Sequence, residues 1–183
     1  MNTPTLHALT ATPANRSAPV RWLAAAIALF ERIPHSLIAV VARFSIAAVF
    51  WNSGQTKVQG FAINLVNGDF TLGWPRLSDS ALSLFQDEYK LPLIAPEVAA
   101  PMAAVAEHVL PLLILIGLGT RLSALGLLGM TLVIQLFVYP GAYATHGTWA
   151  AVLLVLIARG PGTLSIDHWL AGRAAPVGLG VAT

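Results

Sequence analysis

Apolar residues crowd the second half of this chain into two runs, Val98 to Leu118 and Leu122 to Val138, with only Gly119-Thr120-Arg121 between them. At ~1.5 Å of rise per helical residue each run approaches or reaches the ~30 Å of hydrocarbon in a bilayer, and so short a connection permits only antiparallel neighbours. The pattern predicts a transmembrane helical hairpin over 98–118 and 122–138. Two further crossings flank it. One runs over 34–54 and is opened by Pro34, at a position where a helix tolerates proline. The other follows the turn Tyr139-Pro140-Gly141, runs over 142–158, and is stopped by Arg159-Gly160-Pro161-Gly162.

The remaining stretches carry weaker patterns. Residues 1–19 are rich in Thr, Ala, Pro, Ser and Asn without periodicity, which predicts a disordered tail. Arg16 and Arg21 ahead of the apolar run Trp22 to Phe30 imitate a secretory signal, but Glu31-Arg32-Ile33-Pro34 stands where small cleavage-site residues belong. That run is too short to span, and it predicts an interfacial helix with Trp22, Ala26 and Phe30 on one face. The polar outer segment 55–96 holds a hairpin signal at Asn67-Gly68, a turn at Trp74-Pro75, and Leu82, Phe85 and Tyr89 at helical spacing after Ser78 and Asp79. Pro92 and Pro96 close it. Asp167-His168-Trp169 opens a short tail helix, and 171–183 is expected to be loose. The whole predicts an all-α membrane protein: a four-transmembrane-helix bundle with an N-terminal interfacial helix and one outer excursion, 20–170 forming a single membrane domain.

Composition agrees with the pattern. Only 10% of the 183 residues are charged, 56% are hydrophobic, and the mean hydropathy is +0.73; charged residues make up about a quarter of a soluble domain, so the deficit implies contact with a lipid bilayer. The net charge of +2 rests on scattered arginines without a basic run or aromatic interleaving, which excludes nucleic acid as a partner. The absence of cysteine excludes disulfides, thiolate metal sites, covalent c-type haem and thiol relays within this chain. Arg16, Arg21, Arg32, Arg121, Arg159 and Arg173 fall on one side of the predicted spans. Lys57, Arg76 and Lys90 fall on the other, among Asp69, Asp79, Asp87, Glu88 and Glu97. The excess of positive charge places both termini in the cytoplasm and 55–96 outside.

Inside the predicted spans, a few polar residues demand explanation. Counted from Pro34 and Pro96, Arg43 and Glu107 reach nearly the same depth near the bilayer midplane, where either charge alone is costly; a bidentate ion pair between them is the expectation. A pair that only fixes helix register and a pair that serves chemistry fit these residues equally well. Asn52, Ser53 and Lys57 at the end of the first span, Gln135 on the third and His146 on the fourth predict a hydrated outer cavity, which His108 can join from the second. His108 and His146 are read first as hydrogen-bonded interior histidines, ahead of the bis-histidine b-type haem that their residue types would permit. Trp51, Trp149 and Tyr143 suit stacking on a flat ligand such as a quinone ring, or an interfacial aromatic belt, which fits Tyr143 better. The small residues Gly117, Gly119, Gly126 and Gly129 are assigned to close helix packing. No Walker loop, dinucleotide fingerprint, zinc motif or nucleophile elbow is present.

Several of these residues also carry a resemblance. Arg43, Ser53-Gly54-Gln55-Thr56-Lys57, Glu107, Gly117-Leu118-Gly119-Thr120-Arg121, His146 to Trp149, Gly160-Pro161-Gly162 and Leu164-Ser165-Ile166-Asp167, in that order and spacing, resemble the DoxX family of bacterial inner-membrane proteins over about 34–170. The resemblance implies a four-helix membrane bundle. It further implies a place beside quinone-linked oxidoreductases, since the family takes its name from a small subunit of a thiosulfate:quinone oxidoreductase, or in membrane complexes for oxidative or thiol stress. The stretch Leu84 to Pro92 is also similar to a subgroup encoded beside small metal-binding secreted peptides and their modifying enzymes. The leading expectation is a quinone-interacting accessory subunit serving a partner redox protein, at most an oxidoreductase subunit. A non-enzymatic scaffold recruiting a partner through 58–96 is the alternative, and a small proton-coupled carrier, which no internal repeat supports, is a third.

Overall fold

The computed structural model describes residues 18–64 and 68–174. The chain divides into two units at Pro34. In the first, helix α1 (Ala18–Phe30) forms where the short apolar run predicts it and buries none of its residues. Most of the expected N-terminal tail, the hairpin tip at 65–67 and the end of the C-terminal tail lie outside the described residues.

The second unit begins at His35 and contains four helices long and apolar enough to cross a membrane: His35–Gln55, Pro96–Ile116, Thr120–Val138 and Pro140–Arg159. They follow the predicted spans closely. We call their α-helical parts α2 (His35–Gln55), α4 (Pro96–Ile116), α5 (Thr120–Val133) and α6 (Tyr143–Arg159). Between α2 and α4 lie strands β1 (Val58–Asn64) and β2 (Asp69–Leu77) and the short helix α3 (Asp79–Leu84); α7 (Ile166–Ala174) follows α6. Large apolar side chains such as Leu37, Val41 and Phe44 on α2, Leu112 on α4, Leu122 and Leu132 on α5 and Leu154 on α6 are exposed on the protein surface. Water would not tolerate so much contiguous apolar surface, whereas lipid tails cover it at no cost.

The bundle closes as a ring in which α2 packs on α4 and α6, and α5 on α4 and α6. Its core joins Ile46 and Phe50 of α2, Ile114 of α4, Ala124 and Leu127 of α5, and Leu153 and Leu156 of α6. α4 and α5 are separated by a glycine turn: Gly117, at φ 72°, ends α4 with its amide on the carbonyl of Ile114 (3.1 Å) while the amide of Leu118 reaches that of Leu113 (2.9 Å). α4 also contains Pro101 and Pro111, which a helix buried in a membrane bundle accommodates where a soluble helix would break.

The outer segment departs from its predicted form in one detail. Trp74-Pro75 lies within β2 and not in a turn, because β1 and β2 pair from Val58 opposite Leu77 to Asn64 opposite Asp69 with an irregularity between Gln59 and Phe61. Gly60 supplies the bulge at φ 80°, and the longer strand carries Pro75 on exposed backbone, where a missing donor costs nothing. The hairpin is tied to α2 at one residue: Trp51 Nε1 donates to the carbonyl of Ile63 (2.9 Å), and the amide of Ile63 donates to Gln55 Oε1 (2.7 Å). α3 starts at Ser78, whose hydroxyl accepts from the amide of Ala81 (3.2 Å), and then widens into a π-helical turn, Phe85–Tyr89. Phe85 packs with Ala99 and Ala100 at the start of α4, which docks the excursion on the bundle.

Candidate functional site

Arg43 and Glu107 are both buried, as membrane-depth charges must be, but they do not pair. The expected Arg43–Glu107 bridge is replaced by two separate arrangements. Glu107 Oε2 takes a 2.7 Å bond from Lys57 Nζ, with both side chains 4% exposed. Arg43 instead donates from Nε to the carbonyl of Ile114 (2.9 Å), from Nη2 to that of Leu115 (2.5 Å), and from Nη1 to those of Pro161 (3.1 Å) and Leu164 (2.6 Å). The first two belong to the last turn of α4, where Ile114 also accepts from the amide of Gly117, so Arg43 adds to the helix's own cap. Arg43 is therefore a structural clamp on the end of α4 and the α6–α7 connection.

The reason is helix register. α2 and α4 approach closely at Gly54, where an added β-carbon would stand 2.8 Å from His108 Cε1 and 3.1 Å from Glu107 Cβ. That contact sets Glu107 level with the C-terminal turn of α2 and its continuation to Lys57. Arg43, more than two turns earlier on α2, is left level with the end of α4.

Lys57 completes its coordination on Ser53, donating to the carbonyl (3.3 Å) and to Oγ (3.1 Å). An ammonium with three donors is thus fully satisfied. The hydroxyl of Ser53 is in turn directed to the Glu107 carboxylate. Next to this network opens a cavity of about 400 Å³, walled by α2, α4, α5, α6 and the excursion. Ser53, Lys57, Glu107, His146 and Trp149 line it. His146 Nδ1 bonds Gln135 Oε1 (2.7 Å), and Gln135 Nε2 donates to the carbonyl of Pro140 (2.7 Å). With Gln135 presenting its oxygen, Nδ1 is the donor, and Nε2 of the same ring is an acceptor. Gln135 orients this histidine from behind and does not itself line the cavity. The His146 ring also stacks against Trp149 at 5.0 Å between centroids, and Trp149 against Phe50 at 5.6 Å.

Asn52 and His108 fall elsewhere. Asn52 borders a separate groove with Phe44 and Leu112, and His108 a third beneath the hairpin. His108 Nδ1 donates to the carbonyl of Ala104 (2.7 Å), so its Nε2 accepts from Gln55 Nε2 (2.8 Å). It links α4 to the hairpin anchor. His108 and His146 consequently open onto different cavities.

Two residues at the cavity were absent from the expected set. Tyr89, on the π turn after α3, and Tyr139, after a second π turn at Ile134–Val138, both line it and meet edge to face at 5.9 Å. The 82/85/89 spacing placed Tyr89 on an amphipathic face, but nothing in the sequence indicates a π turn. Tyr139 donates its hydroxyl to Glu88 Oε1. Burial raises the Tyr89 phenol, and the bond to Glu88 raises that of Tyr139, so both keep their protons throughout the neutral range.

The arrangement is a small polar cluster, made of a neutralised ion pair, one serine hydroxyl, one imidazole acceptor and two phenols, set into walls of Phe50, Met102, Met130, Ile134 and Trp149. Such a site suits an apolar body with one or two polar atoms. Among the described residues no group of three or more His, Cys, Asp or Glu side chains is placed to hold a metal ion. In comparison with known proteins, the DoxX family model matches residues 38–140, which covers α2 through the end of the third span and so includes Ser53, Lys57 and Glu107. No curated protein and no solved structure matches the chain.

Proposed function

The chain belongs to the DoxX family and is a multi-pass membrane protein, and on that premise we propose that its cavity binds the head group of a quinone and that the protein is an accessory subunit of a membrane redox or stress-response complex. The observation that carries this reading is the polar cluster of Ser53, Lys57, Glu107 and His146 on the wall of a largely apolar cavity inside the bundle. A quinone presents two carbonyl oxygens on a flat ring. The Ser53 hydroxyl can turn from Glu107, and the Tyr89 phenol from Tyr139, to donate to them, while Tyr139 stays bound to Glu88. His146 Nε2 accepts from the hydroxyl of the reduced form, and Trp149 offers a ring to stack on. The Lys57–Glu107 pair polarises the site without adding net charge, so a neutral ligand is favoured over an ionic one. In this reading the electrons pass to or from a partner protein. The membrane in this reading is a bacterial inner membrane, and the arginine asymmetry supports termini on its cytoplasmic side with the excursion outside.

Purification in mild detergent followed by organic extraction tests the proposal. Wild-type protein should release a quinone in near-stoichiometric amount, and His146→Leu and Ser53→Ala, which leave the ion pair intact, should release several-fold less while remaining monodisperse. Quinone-free wild-type protein that also fails to bind added quinone would refute it.

One observation favours the scaffold reading. Phe70, Leu72 and Trp74 alternate along β2 and are 62%, 81% and 83% exposed, an apolar row outside the bundle. In that reading the row docks a partner protein, and Leu72→Asp with Trp74→Asp abolishes partner capture from membranes while leaving the cavity intact. Unchanged capture would remove this alternative.

A further inference from the structure

At the end of the bundle where α2 begins and α6 stops, a second cavity of about 430 Å³ opens, far along α2 from Lys57. Arg121 from the first turn of α5, Arg159 from the last turn of α6, His35 and Ser36 from α2, and Thr163 and His168 from the α6–α7 region line it. Asp167 shares the wall, yet its carboxylate is committed elsewhere: Oδ1 and Oδ2 accept from the amides of Gly119 (2.7 Å) and Thr120 (2.9 Å). Arg121 and Arg159 are left without a carboxylate or a hydrogen-bonding partner among the described residues. This contrasts with Arg43 and Lys57, whose donors are filled by carbonyls and by Glu107. The Arg121 and Arg159 side chains are both exposed, and the Arg121 guanidinium lies beside Gly160, where an added β-carbon would stand 3.4 Å from Nη2.

His35 Nε2 is spent on the carbonyl of Gly160 (3.2 Å) and the hydroxyls of Ser36 and Thr163 on each other (2.8 Å), so the two unpartnered planar guanidiniums are what the wall offers a tetrahedral oxyanion. Their neighbours say which one. Leu122, next to Arg121, is 77% exposed, and Leu164, next to the loop, is 70% exposed. An apolar rim thus adjoins the charged pocket at the helix ends that mark the bilayer boundary. We propose that this cavity binds the phosphate of an anionic phospholipid, the headgroup lying between Arg121 and Arg159 and the acyl chains running down the lipid-facing surface past Leu122. The bound lipid then ties the α4–α5 turn to the α6–α7 loop, next to the Arg43 clamp.

The test titrates the purified full-length protein with phosphatidylglycerol or phosphatidylcholine under native mass spectrometry, and separately follows its thermal unfolding in inorganic phosphate. The expected result is one saturable phosphatidylglycerol bound in preference to phosphatidylcholine, weakened about 30-fold in R121Q/R159Q, the equivalent of about 1 kcal/mol for each arginine. R121K/R159K keeps the charge and loses the planar forks, and it should bind with intermediate strength, which covers the case in which the glutamine variant fails to fold. A thermal shift by inorganic phosphate that needs both arginines, without preference between the lipids, would support the anion site and assign it to free phosphate. Equal retention of both lipids with no phosphate effect, or a phosphatidylglycerol preference unchanged in both double variants, would overturn the proposal.

Discussion

Arg43 and Lys57 are buried cations on one stretch of chain, and they are satisfied by different chemistry. Arg43 spends its fork on four backbone carbonyls, a task for which a lysine ammonium has too few donors and the wrong shape. Arg43→Lys is expected to lower stability in detergent by about 1–3 kcal/mol, the cost of orphaned buried carbonyls, without changing ligand affinity; chemical denaturation and a binding titration on the same preparation check both halves. Lys57 depends on one carboxylate. Lys57→Met should cost about 3–5 kcal/mol by stranding Glu107, whereas Lys57→Met with Glu107→Leu should recover most of that loss, since the apolar pair strands nothing. A double-mutant cycle by thermal unfolding reads the coupling; a double-variant loss equal to the sum of the two single losses would mean that the pair is not energetically coupled. The need to bury Arg43 and Glu107 was visible in the sequence from their apolar surroundings. Their partners were not, because depth counted from Pro34 and Pro96 ignores the register that Gly54 imposes, and the lysine that pairs with Glu107 lies just beyond the helix that the apolar run defines.

Secondary elements follow the hydrophobic pattern where the pattern is long. All four spans and both members of the hairpin are recovered, and Ser78 caps α3 at the polar residue that signalled it. Local geometry that depends on tertiary contacts was illegible: the two π turns that bring Phe85, Tyr89, Ile134 and Val138 to the cavity, and the bulge at Gly60 that draws Trp74 and Pro75 into β2. Asp167 belongs with these. Its place in a tail helix was expected, but its role is to cap α5 across the loop. Burial alone would raise its carboxyl, yet the amides of Thr120 and Gly119 prevail and hold it below the ordinary value. A carboxyl lowered on folding contributes stability that is complete above its unfolded value, ~3.9, and is lost as pH falls through the lower folded value. The melting-temperature gap between wild type and Asp167→Asn should therefore stay constant from neutral pH to about 5 and close only below about 4. A gap that closes near neutrality would show that another group carries the effect.

The unit from His35 onward is a thin-cored ring of four helices that leaves large apolar residues to lipid and gathers its buried charges in two places. One is the Arg43 clamp with its neighbouring basic cavity, and the other is the Lys57–Glu107–His146 cavity at the opposite end of α2. The class of fold was legible because a bilayer imposes length and apolarity on every span. Which polar groups would meet was not, because that depends on how antiparallel helices slide past one another, and hydropathy is blind to sliding. The measurement that bears most directly on the account is photolabelling of the protein in membranes with an azido-quinone, followed by peptide mapping. Label concentrated on the cavity wall, at Met102, Met130 and Trp149, and competed away by unmodified quinone is the predicted result. Label spread over lipid-facing residues such as Phe44, Leu122 and Leu154, undiminished by competitor, would contradict a quinone site inside the bundle.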